Sequence, residues 1–335
     1  MSDEPSVRRS GLVYAGLVLA LLLGLIVSLG VGAVPLTPGE VLSALLGSPA
    51  KISHSAIVWD FRLARVLLAC LCGAALASAG AGFQGLFRNP LADPFVVGAS
   101  GGAAFGATLA IVLGSQGPVI PVGLAGFVGA IGAVLLVYSL SEVSGYGSIA
   151  SLLLVGAALS TMFSALVSLL MLLESGALHE IFAWMLGGFS GRSWPQLGQA
   201  LLVAPIGMVA LWLMARPLDA LAAGEESAEA LGLNLRRSRL MIIAGASLAT
   251  AAAVAAGGII GFVGLIAPHL ARPLVGASHG RLIPASALMG SLLLLLADGL
   301  ARTLAPPLEL PVGIFTALLG GPFFLVLLWK GGHSR

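Results

Sequence analysis

The chain has 335 residues, of which 58% are hydrophobic and only 9% are charged, and its mean hydropathy is +1.06. Soluble domains carry about 25% charged residues, so this composition excludes a soluble globular protein and makes the lipid bilayer the solvent for most of the chain. The formal net charge is only +2, and no basic cluster with interleaved aromatic residues is present, which argues against nucleic-acid binding.

Apolar runs long enough to cross a bilayer recur along the whole chain. A transmembrane helix needs about 20 mainly apolar residues. Ten segments meet or approach this length: 12–33, 61–86, 95–114, 119–140, 149–173, 195–215, 238–257, 259–273, 282–302 and 311–330. The eighth is short and contains Pro268, so we expect a half-helix packed against protein. The prediction is an all-α polytopic membrane protein with about ten transmembrane helices in a single domain, 1–335.

The distribution of Lys and Arg predicts the orientation in the membrane. The first apolar run follows Arg8 and Arg9 and exceeds the about 7–15-residue core of a signal peptide, so we expect a retained first helix. With the N-terminus inside, eleven basic residues face the cytoplasm: Arg8, Arg9, Arg88, Arg216, Arg236, Arg237, Arg239, Arg272, Arg281, Lys330 and Arg335. Five face outside: Lys51, Arg62, Arg65, Arg192 and Arg302. This excess predicts cytoplasmic N- and C-termini.

A polar corner separates the second and third apolar runs. It reads Arg88-Asn89-Pro90-Leu91-Ala92-Asp93-Pro94. Two prolines fix φ twice and remove two backbone donors, so this is a rigid corner and not a flexible tether. A stiff corner between two membrane helices can transmit movement between them, which a purely structural membrane scaffold does not require.

The longest polar break on the predicted cytoplasmic side contains the segment 220–233. It mixes leucines with acidic residues in a pattern typical of a short amphipathic helix, which Gly232 would end. The residues that form this pattern are Leu221, Glu225, Glu226, Glu229 and Leu231. Such a helix would present a rigid surface to a cytoplasmic partner; an ordinary solvated loop is the alternative.

Catalytic and metal-binding patterns are missing from the sequence. It contains no G-x-x-x-x-G-K-[ST], and its lysines are Lys51 and Lys330, so a P-loop cannot hold ATP here. The histidines lack metal-ligand spacing. Gly98, Gly102 and Gly106 form a ridge of small residues typical of tight helix packing. We therefore predict no enzyme activity, no metal and no cofactor in this chain, with ATP bound by partner subunits.

The acidic residues distinguish between classes of transporter. An ion- or proton-coupled secondary transporter usually buries acids in the membrane as relays. Most of the fourteen acidic residues here lie at the ends of runs or between them. Asp298 lies deep in a run, and an ion pair with Arg302 at i+4 explains it. We therefore expect another polypeptide to supply the driving force, with the secondary transporter as the alternative.

Three arginines stand at the predicted outer ends of two helices. Arg62 and Arg65 lie one turn apart at the start of the second run, and Arg302 lies at the end of the ninth. They either anchor helices at the headgroup level or form a cationic rim for an acidic partner. Their position on the outside, against the positive-inside trend, favours docking.

Many separated segments resemble the FecCD/BtuC-type permeases of type II ABC importers, which carry iron-siderophores, haem and cobalamin. The resemblance spans nearly the whole chain. In chain order the segments are Arg62-Leu63-Ala64-Arg65, Gly73-Ala74-Ala75-Leu76-Ala77, Gln84 with 88–94, Gly98-Ala99-Ser100-Gly101-Gly102-Ala103, Leu231-Gly232, Gly261-Phe262-Val263-Gly264-Leu265-Ile266-Ala267-Pro268-His269, Ala297-Asp298 with Ala301-Arg302, and Glu309-Leu310-Pro311-Val312-Gly313.

The resemblance implies a type II ABC importer permease fold and a defined set of partners. These are a second copy of the chain, with the path on the two-fold axis, two ATP-binding cassette subunits in the cytoplasm and an extracytoplasmic substrate-binding protein. The location implied is the inner (cytoplasmic) membrane of a bacterium or archaeon. The cargo would be a bulky metal chelate, a ferric siderophore or haem, with cobalamin or another corrinoid close behind.

The resemblance also implies roles for particular residues. The outer arginines, Arg62, Arg65 and Arg302, would contact acidic residues of the binding protein. Asn89 and Leu91 would belong to an inner gate. The segment 220–233 would couple to the ATPase through Leu221, Glu225, Glu229, Leu231 and Gly232.

The sequence departs from the family pattern in two places. Ala64 stands where the family more often has Pro. The loop 141–151 matches poorly, so no gate residue is predicted there.

Overall fold

The computed structural model describes residues 7–32, 34–48, 52–115, 120–143, 149–306 and 308–332, and the regular structure among them is entirely helical. Its α-helices are α1 Val7–Gly30, α2 Pro38–Leu45, α3 Ile52–Ala56, α4 Ala64–Phe87, α5 Ala99–Gly114, α6 Val122–Val143, α7 Ile149–Leu173, α8 Leu178–Met185, α9 Trp194–Leu213, α10 Ala215–Ala222, α11 Glu225–Ala230, α12 Leu235–Gly257, α13 Val263–Val275, α14 His279–Thr303 and α15 Val312–Gly332.

The predicted all-α membrane architecture is confirmed. Within the described ranges, 8 helical stretches are long and apolar enough to cross a membrane, and α5 and α13 are shorter apolar helices. Together they overlap the ten predicted segments. The eighth segment is the short α13 with Pro268 inside it, as expected. The third begins later than predicted, because Pro94–Val97 forms a 3₁₀ turn and Gly98, at φ +86°, starts α5.

A π-helix, Ile57–Leu63, joins α3 to α4 in one continuous stretch from Ile52 to Phe87. No local sequence pattern predicted this wider turn. It carries Arg62 and ends where α4 begins, so it sets the direction of that side chain relative to Arg65.

Helix α4 forms the centre of the bundle. In the stretch Ile52–Phe87, 83% of the most apolar window is buried, against 17% in α1 and in α15. Glycines let the central backbones touch: a Cβ added at Gly73 would lie 2.2 Å from the carbonyl oxygen of Gly290 on α14. Such close approach allows extensive van der Waals contact where lipid provides no hydrophobic driving force. The pairing of α4 with α14 is therefore fixed in position along both helices.

The glycine ridge of α5 has the packing role predicted for it. Cβ atoms added at Gly102 or Gly106 would lie 2.3 Å from the carbonyl oxygens of Gly129 and Ala125 on α6. Gly98 differs from these two, because its positive φ starts the helix.

Candidate transport sites at the two ends of the helix bundle

Buried charges gather where the end of α14 meets the start of α4. We call this group the arginine cluster: Arg62, Arg65, Asp298, Arg302 and Glu309. Asp298 is fully buried; one of its oxygens lies 2.9 Å from Nη2 of Arg65 and the other lies 3.1 Å from Nε of Arg302. The predicted i,i+4 ion pair is confirmed. The second pair, with Arg65, joins residues 233 positions apart and had no local signal.

Two guanidinium groups of the cluster also bind the end of α1 and the residues that follow it. Arg62 donates to the carbonyl oxygens of Leu29, at 2.6 Å, and Val34. Arg302 donates to the hydroxyl oxygen of Ser28, at 2.6 Å. The last backbone carbonyl groups of a helix have no hydrogen-bond donor within that helix, and these arginine side chains donate to them.

The arginines that were predicted to form a cationic rim are buried side chains. Arg62, Arg65 and Arg302 are each only 7% exposed. They do come together, however, and with Glu309 they line one cavity of about 240 Å³. Three arginines face two carboxylates, Asp298 and Glu309, so the arginine cluster carries one positive charge in excess.

Glu309 closes the cluster from the segment before α15. Its carboxylate lies 2.7 Å from Nη1 of Arg65. Burial raises the pKa of Glu309, but the hydrogen bonds from Ser190 and Arg65 outweigh burial and hold that pKa below its ordinary value. Glu309 therefore stays ionised at neutral pH.

The polar corner after α4 is braced by its own side chains. Asn89 accepts a hydrogen bond from the backbone N–H of Leu91 at 2.9 Å, and Asp93 accepts one from Phe95 at 2.9 Å. Pro94 packs so closely on Gly264 of α13 that a Cβ there would lie 2.5 Å from its Cδ. These hydrogen bonds and this packing hold the corner rigid in addition to its prolines. The contact of Pro94 with Gly264 also brings together two motifs that lie far apart in the sequence. Asn89 is exposed and Leu91 is half-buried.

The predicted coupling segment is helical, but it is not one helix. Gly224, at φ +122°, separates α10 from α11. Gly232 ends α11 as predicted: at φ +81° its N–H donates to Glu229, and the next N–H, of Leu233, donates to Ala228. This is the hydrogen-bond pattern of the Schellman motif, which favours glycine.

The two leucines of the coupling segment lie in different environments. Leu231 is 75% exposed, whereas Leu221 is 3% exposed and packs in the main core. The prediction that the Leu221 side chain faces a partner is therefore wrong; Leu221 anchors α10 to the bundle. Leu231 stands at the surface beside Gly232, and the exposed carboxylate of Glu229 lies in the same short helix.

Two acidic residues tie α10 and α11, the helices that carry the coupling segment, to the bundle. Glu225 lies 3.5 Å from Arg88 of the corner and 2.5 Å from Arg239 of α12. Asp219 of α10 accepts hydrogen bonds from the backbone N–H of His279 at 2.8 Å and from the hydroxyl of Ser278 at 3.0 Å. It therefore caps the N-terminus of α14 from another helix.

Helix α14 joins the two groups of residues. Its 25 residues span about 38 Å, since an α-helix rises about 1.5 Å per residue. Asp219 binds its first residue, and Arg302 lies next to its last. The arginine cluster and the coupling segment therefore lie at opposite ends of the bundle.

Some predicted features lie beyond these sites. Lys51, Arg335 and residues 144–148 of the loop 141–151 lie outside the described residues. Among the residues that the structure does describe, no group of three or more His, Cys, Asp or Glu side chains could hold a metal ion.

The described part of the chain is a helical bundle with ten apolar helices, a buried charge cluster at one end and a braced helical segment at the other. These features define a polytopic membrane transport subunit. The chain belongs to the FecCD transport family, whose model matches residues 20–330. It is 41% identical over 98% of its length to the cobalamin import system permease protein BtuC of Halobacterium salinarum, 90% of which is covered. It is also 39% identical over 97% of its length to the hemin transport system permease protein HmuU of Yersinia pestis, 99% of which is covered.

Solved structures agree with this assignment. A structure described as an inward-facing conformation of a metal-chelate type ABC transporter matches with a TM-score of 0.82 and 35% identity, covering 96% of this chain and 99% of that one. PsaBC from Streptococcus pneumoniae, in complex with Fab, matches with a TM-score of 0.56 at 18% identity and shares the fold alone. The chain is therefore a membrane permease of the ABC importer class.

Proposed function

We propose that two copies of this chain form the translocation path of an ATP-driven importer for a bulky metal chelate. Two ATP-binding cassette subunits would sit in the cytoplasm, and an extracytoplasmic binding protein would deliver the cargo. The observation that carries this proposal is the separation of two sites by one continuous helix: α14 starts at the coupling segment and ends at the arginine cluster.

The proposed mechanism is alternating access driven from the coupling segment. Leu231 gives the ATPase subunit an exposed apolar contact, and the groups around it connect inward. Glu225 links the segment to Arg88, next to Asn89 and Leu91 of the proposed inner gate. Asp219 links it to α14. Movement of the segment would thus reach the gate and the opposite end of the bundle together, and the partners would shift the balance between two conformations.

We place the coupling segment in the cytoplasm and the arginine cluster outside. The excess of Lys and Arg on one side of the ten spans supports this orientation, with both termini inside, in the cytoplasmic membrane of a bacterium or archaeon. Docking of the binding protein would then take place over the cavity lined by Arg62 and Arg302, whose excess positive charge suits an acidic side chain.

A homodimer is proposed because much apolar helix surface remains uncovered. Only 22% of the most apolar window of Ala150–Leu173 and 17% of that of Val312–Trp329 is buried within one chain. Lipid and a second copy would share these faces, with the path between copies. Mass measurement in detergent should give two copies per complex, and a transport-competent monomer would contradict this arrangement.

The cargo is proposed as a ferric siderophore or haem, with a corrinoid next. Relatives named for cobalamin, hemin and Fe(3+)-citrate are 41%, 39% and 40% identical to this chain, so overall identity does not separate these cargoes. Each relative is a permease of an import or transport system by name, which supports the importer class for all three.

Uptake into vesicles tests the proposal against the ion-coupled alternative. The permease is reconstituted with its ATPase and binding protein, and labelled chelates are offered in the presence or absence of ATP. We expect uptake that requires ATP and fails with an ATPase variant that binds ATP without hydrolysing it. Uptake driven by a proton gradient, without the ATPase, would identify a secondary transporter instead.

A further inference from the structure

A second cavity, of about 420 Å³, opens at the arginine end of the bundle. Its wall combines α8, the 186–193 segment and the 309–311 segment. Glu309 lines both this cavity and the one beside Arg62, which places the two next to each other.

Two hydrogen-bond donors on the wall of this cavity have no acceptor. Nε of Arg192 and Nε1 of Trp184 are buried, and neither has a hydrogen-bond partner in the described part of the chain. Arg192 also has no ion pair there, whereas Arg62, Arg65 and Arg302 are all bonded to carboxylates or carbonyls. Burial lowers the pKa of Arg192, as expected for a cation without a counter-charge.

A ligand acceptor would satisfy both donors. Buried polar groups normally have partners, and a donor left without one destabilises the fold, so such exceptions point to something that binds there. A guanidinium group presents parallel N–H donors that match the two oxygens of a carboxylate. Trp184 is 7% exposed and supplies one further N–H.

The other residues that line the cavity restrict the chemistry of the ligand that can bind there. Ile111, Val122, Phe189 and Pro311 are apolar, which suits the body of an organic group and not a bare ion. Glu180 and Glu309 also line the cavity. Arg65 balances the charge of Glu309 at 2.7 Å, and Glu180 disfavours a multiply charged anion such as phosphate. At about 420 Å³ the space falls in the lower part of the range for small-molecule sites, about 300–1,000 Å³, so it suits a peripheral group of a large chelate.

We propose that this cavity is a subsite for a free carboxylate group of the transported chelate, bound by Arg192 and Trp184. The inference rests on the proposed import function and deepens it. Chelates with ionised carboxylates would be imported in preference to otherwise similar neutral ones, and Arg192 would be a specificity-determining residue.

Haem and its dimethyl ester test this subsite, since the ester has a neutral methyl ester in place of each of the two ionised carboxylates of haem and is otherwise the same molecule. Uptake of each is measured with the complete reconstituted importer, alongside ferric citrate and cobalamin, and the ratio of acid to ester is the readout. Because the same binding protein is used throughout, its own preference cancels between variants. Arg192→Gln should lower the ratio about tenfold or more, with most of it restored by Arg192→Lys.

Two further variants separate the chemistry from structural damage. Trp184→Phe keeps the ring and removes only the N–H, so it should lower the ratio less than Arg192→Gln does. Glu180→Gln removes a charge of opposite sign from the same cavity and should leave the ratio unchanged or raise it. Uptake of the ester reports whether each variant still folds and assembles.

The outcomes distinguish a failure of the carboxylate subsite from a failure of the proposed import function. ATP-dependent uptake with a ratio unchanged in Arg192→Gln, or uptake of cobalamin but of no carboxylate-bearing chelate, would overturn the subsite and leave the importer intact. Failure to import every chelate with ATP present would overturn both.

Discussion

Asp298 is the buried acid on which the arginine cluster depends, and Asp298→Asn isolates its charge. The carboxylate is fully buried between Arg65 and Arg302. Asparagine keeps the shape but leaves two guanidinium groups without that counter-charge. Removing one partner of a buried ion pair costs about 3–5 kcal/mol. Arg65 would still have Glu309 at 2.7 Å and Arg302 would still have Ser28 at 2.6 Å, so we expect a loss near the lower value, about 3 kcal/mol.

Reversible unfolding of the detergent-solubilised chain measures this loss. Thr303→Ala is the matched control, because Thr303 lies on the same end of α14 and is exposed; its effect should stay within about 0.5 kcal/mol. Adding Arg302→Met to Asp298→Asn removes one of the two uncompensated charges and should recover part of the loss. A change below about 1 kcal/mol in Asp298→Asn would mean that Glu309 and the end of α1 satisfy the arginines without Asp298, and the reasoning would be refuted.

Three further expectations concern the opposite end of the bundle. Leu231→Asp should uncouple ATP hydrolysis from import with little change in stability, since the side chain is 75% exposed. Leu221→Asp should instead destabilise the fold by about 2–5 kcal/mol, because Leu221 is buried. Equal effects of the two variants on stability would contradict this difference in burial. Asn89→Cys, cross-linked to its symmetry mate, should block import in a nucleotide-dependent way, and free transport after complete cross-linking would argue against a gate. Asp219→Asn should weaken stimulation of ATP hydrolysis by the binding protein more than the basal rate, because it weakens the contact with His279 that starts α14; equal loss of both rates would show that the contact only supports the fold.

The sequence by itself determined the class of the protein, the approximate positions of its apolar helices and the family. These features are local, because an α-helix satisfies its own backbone hydrogen bonds and its apolar length is visible residue by residue. The glycine stop at Gly232 and the pair of Asp298 with Arg302 are local as well, at distances of a few residues. Each was therefore predicted correctly from its neighbours.

Features that depend on distant contacts were beyond such reasoning. A local amphipathic pattern reveals neither the break of the coupling segment at Gly224 nor the burial of Leu221 in the core. Arg192 looked like the other outer arginines in the sequence, and only the tertiary structure shows that its Nε has no hydrogen-bond partner among the described residues.

The tertiary structure alone decided that the arginine cluster is buried. Arg65 and Asp298 lie 233 positions apart and meet because α4 packs on α14 with the backbones in contact at Gly73 and Gly290. A charge at the end of an apolar run reads the same in the sequence whether it faces water or another helix. Only the packing of the two helices determines which carboxylates surround it, and therefore whether it is a surface charge or part of a buried network.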